Sequence, residues 1–186
     1  MTENIFDKLR NAGANSDKTS QWLQAQIKKL GTINTNQLMR EGTLTNQLLP
    51  GNMYMFLYDA KLKEKLPFYD SLPLVLPYKK VNDGFMGLNL HYLPYMARLS
   101  LLSKLDEFRN NDNLDENTKL LFNWRLLESS SKFNPAKACV KHYLNDYVQS
   151  RFLKINYPDW VIASQLPVER FNVSKQNVWN NSRRKY

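Results

Sequence analysis

Apolar side chains recur at helical spacing in the first part of the chain. They follow an i, i+3, i+4 pattern, which predicts a helix that begins near Ser16 or Asp17 and ends at Gly31. Its apolar face consists of Trp22, Leu23, Ile27 and Leu30. Residues 32–49 are rich in Asn, Thr and Gln, with scattered leucines. We interpret this stretch as a polar arm that lies over another part of the molecule, not as a packed element.

Three β-prone runs follow, at residues 53–58, 72–78 and 85–93. The first is apolar at every position, which is typical of a strand buried on both faces. Because the three runs lie within about forty residues, we expect them to form a small antiparallel unit over 50–94, either a sheet or a partly open β-barrel.

Proline and glycine mark particular places in these runs. The second run carries Pro73 and Pro77, which predicts an edge strand or an extended segment, because proline cannot donate to a ladder. Asn82-Asp83-Gly84 is typical of a tight hairpin turn. Gly87, inside the third run, indicates a bulge or a close backbone approach.

Beyond Pro94 the apolar period becomes helical. We expect helices over 95–108, 115–128, 134–152 and 160–166, followed by one or two further turns in the tail. The sequence therefore predicts an α+β fold, in which an N-terminal helical arm and a C-terminal helical half flank the sheet. The divisions are 1–49 for the arm, 50–94 for the β unit, 95–173 for the helical half and 174–186 for a basic tail. No linker separates the β unit from the helical half, so both should share one core.

Composition narrows the class of protein. The chain has 186 residues, of which 42% are hydrophobic, too many for a disordered chain. No apolar run approaches the roughly 18 residues that a transmembrane helix needs, and the N-terminus has no signal-peptide pattern. The single cysteine, Cys139, cannot form an internal disulfide, which favours a reducing intracellular history. With two histidines and one cysteine we expect no metal site and no cofactor.

The positive charge is concentrated near the C-terminus. The net charge is +9, and residues 137–186 carry nine basic and three acidic groups. Such asymmetry predicts a surface that binds a polyanion, although a basic protein without such a partner is the alternative. The candidate phosphate-binding residues are Lys137, Lys141, Arg151, Lys154, Arg183, Arg184 and Lys185. Lys137 and Lys141 are four residues apart, so we expect them on one side of the predicted 134–152 helix. The tail could instead dock on an acidic protein.

A catalytic role has weak support in the sequence. Asp70, Asp83 and His91, with His142, could serve a nuclease, but no nucleophile elbow, phosphate loop or zinc motif accompanies them. We therefore expect no catalytic residues, with His91 half-buried on a backbone partner. Cys139 is expected on a helix, opposite its apolar face, where the helix dipole would lower the thiol pKa somewhat.

Aromatic side chains are dense in the predicted β unit. They can stack bases when exposed, but large aromatics mostly fill cores, which is our expectation here. The candidates are Tyr54, Tyr58, Phe68, Tyr69, Tyr78, Phe85 and Tyr92.

Several segments between residues 45 and 180 resemble a known family. The matching pieces are 51–59 (GNMYMFLYD), 66–75 (LPFYDSLPLV), 84–94 (GFMGLNLHYLP), 139–144 (CVKHYL), 150–152 (SRF) and 166–171 (LPVERF). They are similar to the DNA end protector protein of large contractile-tailed bacteriophages, a virion protein family.

The resemblance implies a virion protein, present in the host cytoplasm during assembly, that caps the terminus of the packaged genome against exonucleases. Its partners would be double-stranded DNA ends and portal, neck or other virion proteins, with no membrane and no small-molecule substrate. It brings no catalytic motif. The alternative function is a head-neck or baseplate assembly protein whose partners are mainly proteins.

Overall fold

The structure is a computed structural model that describes residues 4–14, 18–49, 51–109 and 134–184. The helices are α1 (Ile5–Asn11), α2 (Ser20–Leu30), α3 (Thr35–Glu41), α4 (Tyr95–Arg109), α5 (Asn134–Lys137), α6 (Trp160–Gln165) and α7 (Lys175–Arg184). The strands are β1 (Thr43–Thr45), β2 (Met53–Met55), β3 (Leu74–Val81), β4 (Gly84–Asn89), β5 (Val140–Leu144) and β6 (Phe152–Ile155). Short 3-10 turns cover Leu90–Tyr92, Asn145–Tyr147 and Tyr157–Asp159.

The six strands form one antiparallel sheet in the order β1-β6-β2-β3-β4-β5. The strands β1 and β5 are its two edges, so the sheet is open and does not close into a barrel. This arrangement confirms the predicted α+β class. The division into four segments at residues 49, 94 and 173 stays a prediction.

The hairpin between β3 and β4 follows its predicted turn. Val81 pairs with Gly84, so Asn82 and Asp83 form the two-residue connection. The expectation that residues 72–78 form an edge strand is wrong, because β3 lies between β2 and β4. Pro77 is tolerated there because the register shifts between Pro77 and Lys79, and such an irregularity relieves the missing donor.

Each face of the sheet is buried under a different covering. The strand residues Met53, Leu76 and Leu153 point to the face on which helices pack, in a core shared with α1, α2, α4, α6 and α7. Residues on the opposite face form an aromatic cluster, covered mainly by loops. Its buried members are Tyr54, Phe56, Tyr58, Ala60, Val75, Phe85 and Tyr143. One continuous sheet therefore separates a helical layer from a loop-covered aromatic layer.

Helix α2 shows how local sequence sets the helical layer. The hydroxyl of Thr19 accepts from the Trp22 backbone N–H, which caps the first turn. Leu23 and Ile27 are buried four residues apart, and Gly31 ends the helix with φ +75°, a conformation that favours glycine. The predicted helix is thus present, but its start is corrected: it begins at Ser20 and is capped by Thr19, so the expected cap at Ser16 or Asp17 is wrong.

Two secondary-structure expectations are wrong. Residues 134–152 are not one helix: α5 ends at Lys137, and β5 pairs with β4 from Val140 onward. The 32–49 arm is not unpacked, because α3 buries Leu38 and β1 pairs with β6. Both segments become sheet through long-range partners that their own residues do not reveal. The helix expected over 115–128 lies outside the described residues.

Candidate nucleic-acid interface

The predicted basic residues are distributed widely over the sheet and its surroundings. Lys141 lies on the edge strand β5, whereas Lys154 lies on β6, four strands away. That separation is about 19 Å at the usual strand spacing. Their side chains nevertheless lie on one face of the sheet. Lys154 is directly opposite Tyr54, and Lys141 is two residues from Tyr143 on the same strand; both tyrosines belong to the aromatic cluster.

The other predicted positions lie on different elements or beyond the residues that the structure describes. Lys137 is at the end of α5, so it does not share a helix side with Lys141 as expected. Arg151 is exposed directly before β6 and makes no ion pair with a described acid. For Arg183 and Arg184 only the backbone is described, at the end of α7, and Lys185 lies outside the described residues.

A cleft on the aromatic face brings Lys141 together with residues that the charge analysis did not select. It has a volume of about 350 Å³ and lies between the loop 59–69 and strand β5. Lys61, Phe68 and Tyr69 line it from the loop, and Lys141 and His142 line it from the strand. The cleft therefore combines cationic groups with aromatic rings on one concave surface.

The loop beside this cleft carries lysines alternating with exposed apolar side chains. Leu62 and Leu66 are 52% and 41% exposed, and both border the cleft. Lys63 is paired with Asp59 at 2.8 Å, which raises the pKa of Lys63 by hydrogen bonding and charge attraction. The sequence itself indicates this exposed apolar surface at residues 61–66, where two leucines stand within a charged connection. Contiguous exposed apolar side chains mark interaction sites, and these two leucines border one cleft.

Lys141 is held against an aromatic wall of the cleft. Its ammonium lies 3.8 Å from the centroid of the Tyr92 ring, within the range of a cation–π contact. Burial, with the Asp70 charge and Cys139, raises the pKa of Tyr92 well above its ordinary value, so its phenol stays neutral. The cation of Lys141 therefore lies beside an uncharged ring.

The carboxylate that lines the cleft, Asp70, is already engaged by the fold. It accepts from Nδ1 of His91 at 2.7 Å and from the Asn89 side-chain amide at 3.1 Å. Backbone N–H groups of Leu72 and Arg170 also donate to it. Burial opposes its ionisation, but His91 and these hydrogen bonds outweigh burial and lower the pKa of Asp70. The oxygens of Asp70 therefore already have hydrogen-bond partners within the fold.

The proposed nuclease residues form two separate pairs. His91 is fully buried with a carboxylate partner, which corrects the expectation of a half-buried ring on a backbone partner. Asp83 lies in the hairpin turn, 3.0 Å from His142, both of them exposed. Asp83 precedes β4 and His91 follows it, so a strand of roughly 17 Å lies between these two, whereas His142 and Asp70 both line the cleft.

A second buried network lies beside His91 and was missed at the sequence level. Nη2 of Arg98 donates to Glu169 at 2.6 Å, and its other donors reach the carbonyls of Leu93 and Ser164 at 2.8 Å. Burial opposes ionisation of Glu169, but the charges of His91, Arg98 and Lys175 outweigh it and lower the pKa of Glu169. The sequence did contain an indication of this network: Arg98 stands at helical spacing from Leu102 and Leu105, on the buried side of α4.

The thiol of Cys139 differs from its predicted setting. Cys139 is fully buried beside β5, in the helix-covered core, and it is not on a helix face away from the core. Burial raises the pKa of this thiol to about 12, which is opposite to the lowering expected from a helix dipole.

Most of the aromatic residues of the β unit fill the core, as predicted. Tyr54, Tyr58, Tyr78, Phe85 and Tyr92 are buried. Phe68 and Tyr69 are only half-buried, and these are the two that line the cleft from the loop. Among these candidates, the capacity to stack a base is therefore restricted to the cleft.

Neither a metal centre nor a membrane span is found in the described part of the chain. No three His, Cys, Asp or Glu side chains within 4–14, 18–49, 51–109 and 134–184 group closely enough to hold a metal ion. None of the helices in these same ranges is long and apolar enough to cross a membrane.

Comparison with known proteins gives one family. A family model described as phage T4 terminal DNA protecting protein matches residues 1–184. No curated protein and no solved structure gives a significant match.

Proposed function

Because the chain belongs to the family of the phage T4 terminal DNA protecting protein, we propose that it binds the terminus of packaged double-stranded DNA at the head or portal. The match over residues 1–184 carries this proposal. In the virion the protein would lie where the DNA end meets portal or neck proteins, which would be its protein partners.

We propose that the protein protects by occupying the end and not by a reaction. Phosphates would be held by cationic side chains without base readout, since such contacts position a protein but carry no sequence information. The net charge of +9 and the lysines on the aromatic face support this mode. Asp70 and His91, the pair most suited to proton transfer, are bonded to each other inside the fold, and both side chains are buried away from solvent.

The direct test is protection of linear duplex DNA from a processive exonuclease by the purified protein, beside a gel-shift series at increasing salt. We expect protected ends, and a log–log salt slope of about −0.9 for each phosphate neutralised. Incubation with Mg²⁺ or Mn²⁺ alone should leave the DNA intact. Unprotected ends, or equal affinity for linear and circular DNA, would contradict the proposal.

A matched pair of variants tests which surface holds the phosphates. The double variant Arg151→Gln/Lys154→Gln removes two charges at β6, and Lys28→Gln/Lys29→Gln removes two exposed charges from α2. We expect only the first to flatten the salt slope, by about 0.9 for each phosphate that is no longer neutralised. Equal slopes for both variants would place the phosphate-binding groups elsewhere.

A further inference from the structure

We propose that the cleft between the loop 59–69 and strand β5 receives the terminal nucleotide of the DNA end. This inference rests on the proposed function and names the part of the surface that recognises an end. The phosphate would lie on Lys61 and Lys141, and the base would lie against Tyr69 and Phe68.

The size of the cleft selects a single nucleotide over a duplex. About 350 Å³ lies within the roughly 300–1,000 Å³ of small-ligand sites. A base can enter such a space only when it is unpaired, and terminal base pairs have one stacked neighbour instead of two. Unstacking therefore costs least at an end. The cleft would thus distinguish an end from continuous duplex.

The charge of the cleft fits a phosphate. Lys61 is exposed at one wall, and Lys141 is directed over Tyr92 at the other, with its Nζ 3.8 Å from the ring centroid. Asp70 is the carboxylate among the described lining residues, and it is bonded to His91. In the loop, Asp59 is paired with Lys63, and the exposed Glu64 does not line the cleft.

The aromatic groups of the cleft fit a base. Phe68 and Tyr69 are the half-buried aromatics of the loop, so part of each side chain remains open to solvent at the cleft. Stacking of one base on an aromatic ring is sequence-tolerant, because every base presents a π-face. A protein that must accept an end of any sequence needs this kind of contact.

The exposed leucines of the loop complete the surface. Leu62 and Leu66 border the same cleft and are the most exposed large apolar side chains of its rim. Apolar side chains placed against base steps are a common means of holding an unstacked base open. In this arrangement the leucines would cover the newly exposed face of the penultimate base pair.

The first experiment measures end preference. The affinity for a short blunt duplex is compared with that for the same duplex closed at both ends by hairpin loops, at one fixed salt concentration. We expect Tyr69→Leu to lose about tenfold in affinity for the open duplex, and Lys61→Gln and Lys141→Gln to lose severalfold. All three should bind the closed duplex as the parent does. Lys28→Gln, on the exposed face of α2, is the control and should keep the full preference.

The second experiment uses the unaltered protein, so it does not depend on how the variants fold. A 5-iododeoxyuridine is placed at the terminal position or well inside the duplex, the complex is irradiated, and crosslinked peptides are identified by mass spectrometry. We expect crosslinks to Phe68 or Tyr69 from the terminal position only.

The outcomes separate this inference from the proposed function. The cleft assignment alone is overturned if the parent protein prefers open ends, the variants keep this preference, and the crosslinks fall outside 59–69. A parent protein that binds open and closed duplexes equally overturns the proposed function, and the cleft assignment with it.

Discussion

Nη2 of Arg98 lies 2.6 Å from Oε1 of Glu169, and the two side chains are 0% and 3% exposed. Arg98 also lies over the Tyr95 ring at 4.6 Å, and Trp179 of α7 donates to the carbonyl of His91 at 2.9 Å. Because Arg98 also lies over the Trp179 ring at 5.7 Å, one buried ion pair joins α4, the segment that follows α6 and the C-terminal helix.

Removal of one member of this pair should be strongly destabilising. Arg98→Met leaves Glu169 as a buried charge that lacks its closest partner, and such losses cost about 3 kcal/mol or more in the free energy of unfolding. Urea denaturation followed by circular dichroism measures the change. The exposed Lys63–Asp59 pair is the control, and Lys63→Met should leave the midpoint near that of the parent. Similar effects of both variants would show that burial of Arg98 does not matter.

Acid should weaken the fold through Asp70 and Glu169. Both carboxyls have a pKa in the folded protein that is below the ordinary value. Their contribution to the free energy of unfolding is therefore complete above the pKa of the unfolded chain, about 4, and is lost as the pH falls through the lower pKa of the folded protein. The urea midpoint should therefore fall between about pH 5 and pH 3. Asp70→Asn and Glu169→Gln should each be less stable at neutral pH and show a shallower pH dependence. An unchanged slope in both variants would remove these two groups from the explanation.

Two glycines of β4 should respond differently to alanine. A Cβ at Gly87 would lie 2.3 Å from Cγ1 of Val75, a side-chain atom, whereas a Cβ at Gly84 would lie 1.9 Å from the backbone oxygen of Tyr143. Overpacking of this kind costs about 1–3 kcal/mol. We expect Val75→Ala to recover part of the stability lost in Gly87→Ala, measured by thermal unfolding. The same second change should not help Gly84→Ala, and rescue of both would argue against a local clash.

Cys139 should be inert in the native protein. Its thiol is fully buried and its pKa is raised to about 12, so the thiolate that reacts is scarce near neutral pH. Mass spectrometry after treatment with iodoacetamide should show little labelling in buffer and complete labelling in denaturing urea. Rapid labelling of the folded protein would indicate that the β5 edge opens readily.

Deletion of residues 183–186 should weaken DNA binding more than it affects the fold. The buried residues of α7, Val178 and Trp179, precede the deletion, so the melting temperature should stay within about 2 °C of the parent. The affinity loss should be largest at low salt and vanish near 1 M, because the Debye length is then only about 3 Å. A large drop in melting temperature would mean that the deleted residues support the core.

Local signals in the sequence predicted part of the fold. The β3–β4 hairpin follows from Asn82-Asp83-Gly84, and α2 and α4 follow from their apolar period. Residues 140–152, within the helix expected over 134–152, were misjudged because their apolar spacing also fits a helix. The pairing of β5 with β4, and of β6 with β1 and β2, depends on partners far away in the sequence, such as Thr43 for Lys154.

The candidate site also depends on contacts between distant parts of the chain, which the local sequence does not reveal. Charge counting selected Lys141 but not Lys61, because only the folded chain brings the loop 59–69 to strand β5. The half-buried state of Tyr69 also depends on that packing, since the sequence does not distinguish it from its buried neighbours.

The position of β6 between β1 and β2 determines when the sheet can form. As the chain leaves the ribosome, β1 and β2 emerge before β6, the strand that pairs with both. They lack this partner until residues 152–155 have been made. Until then each has an unpaired edge, a state that favours association with other chains. We therefore expect the sheet to be completed only after residues 152–155 have been made, and a chain stopped after α4 to accumulate in aggregates.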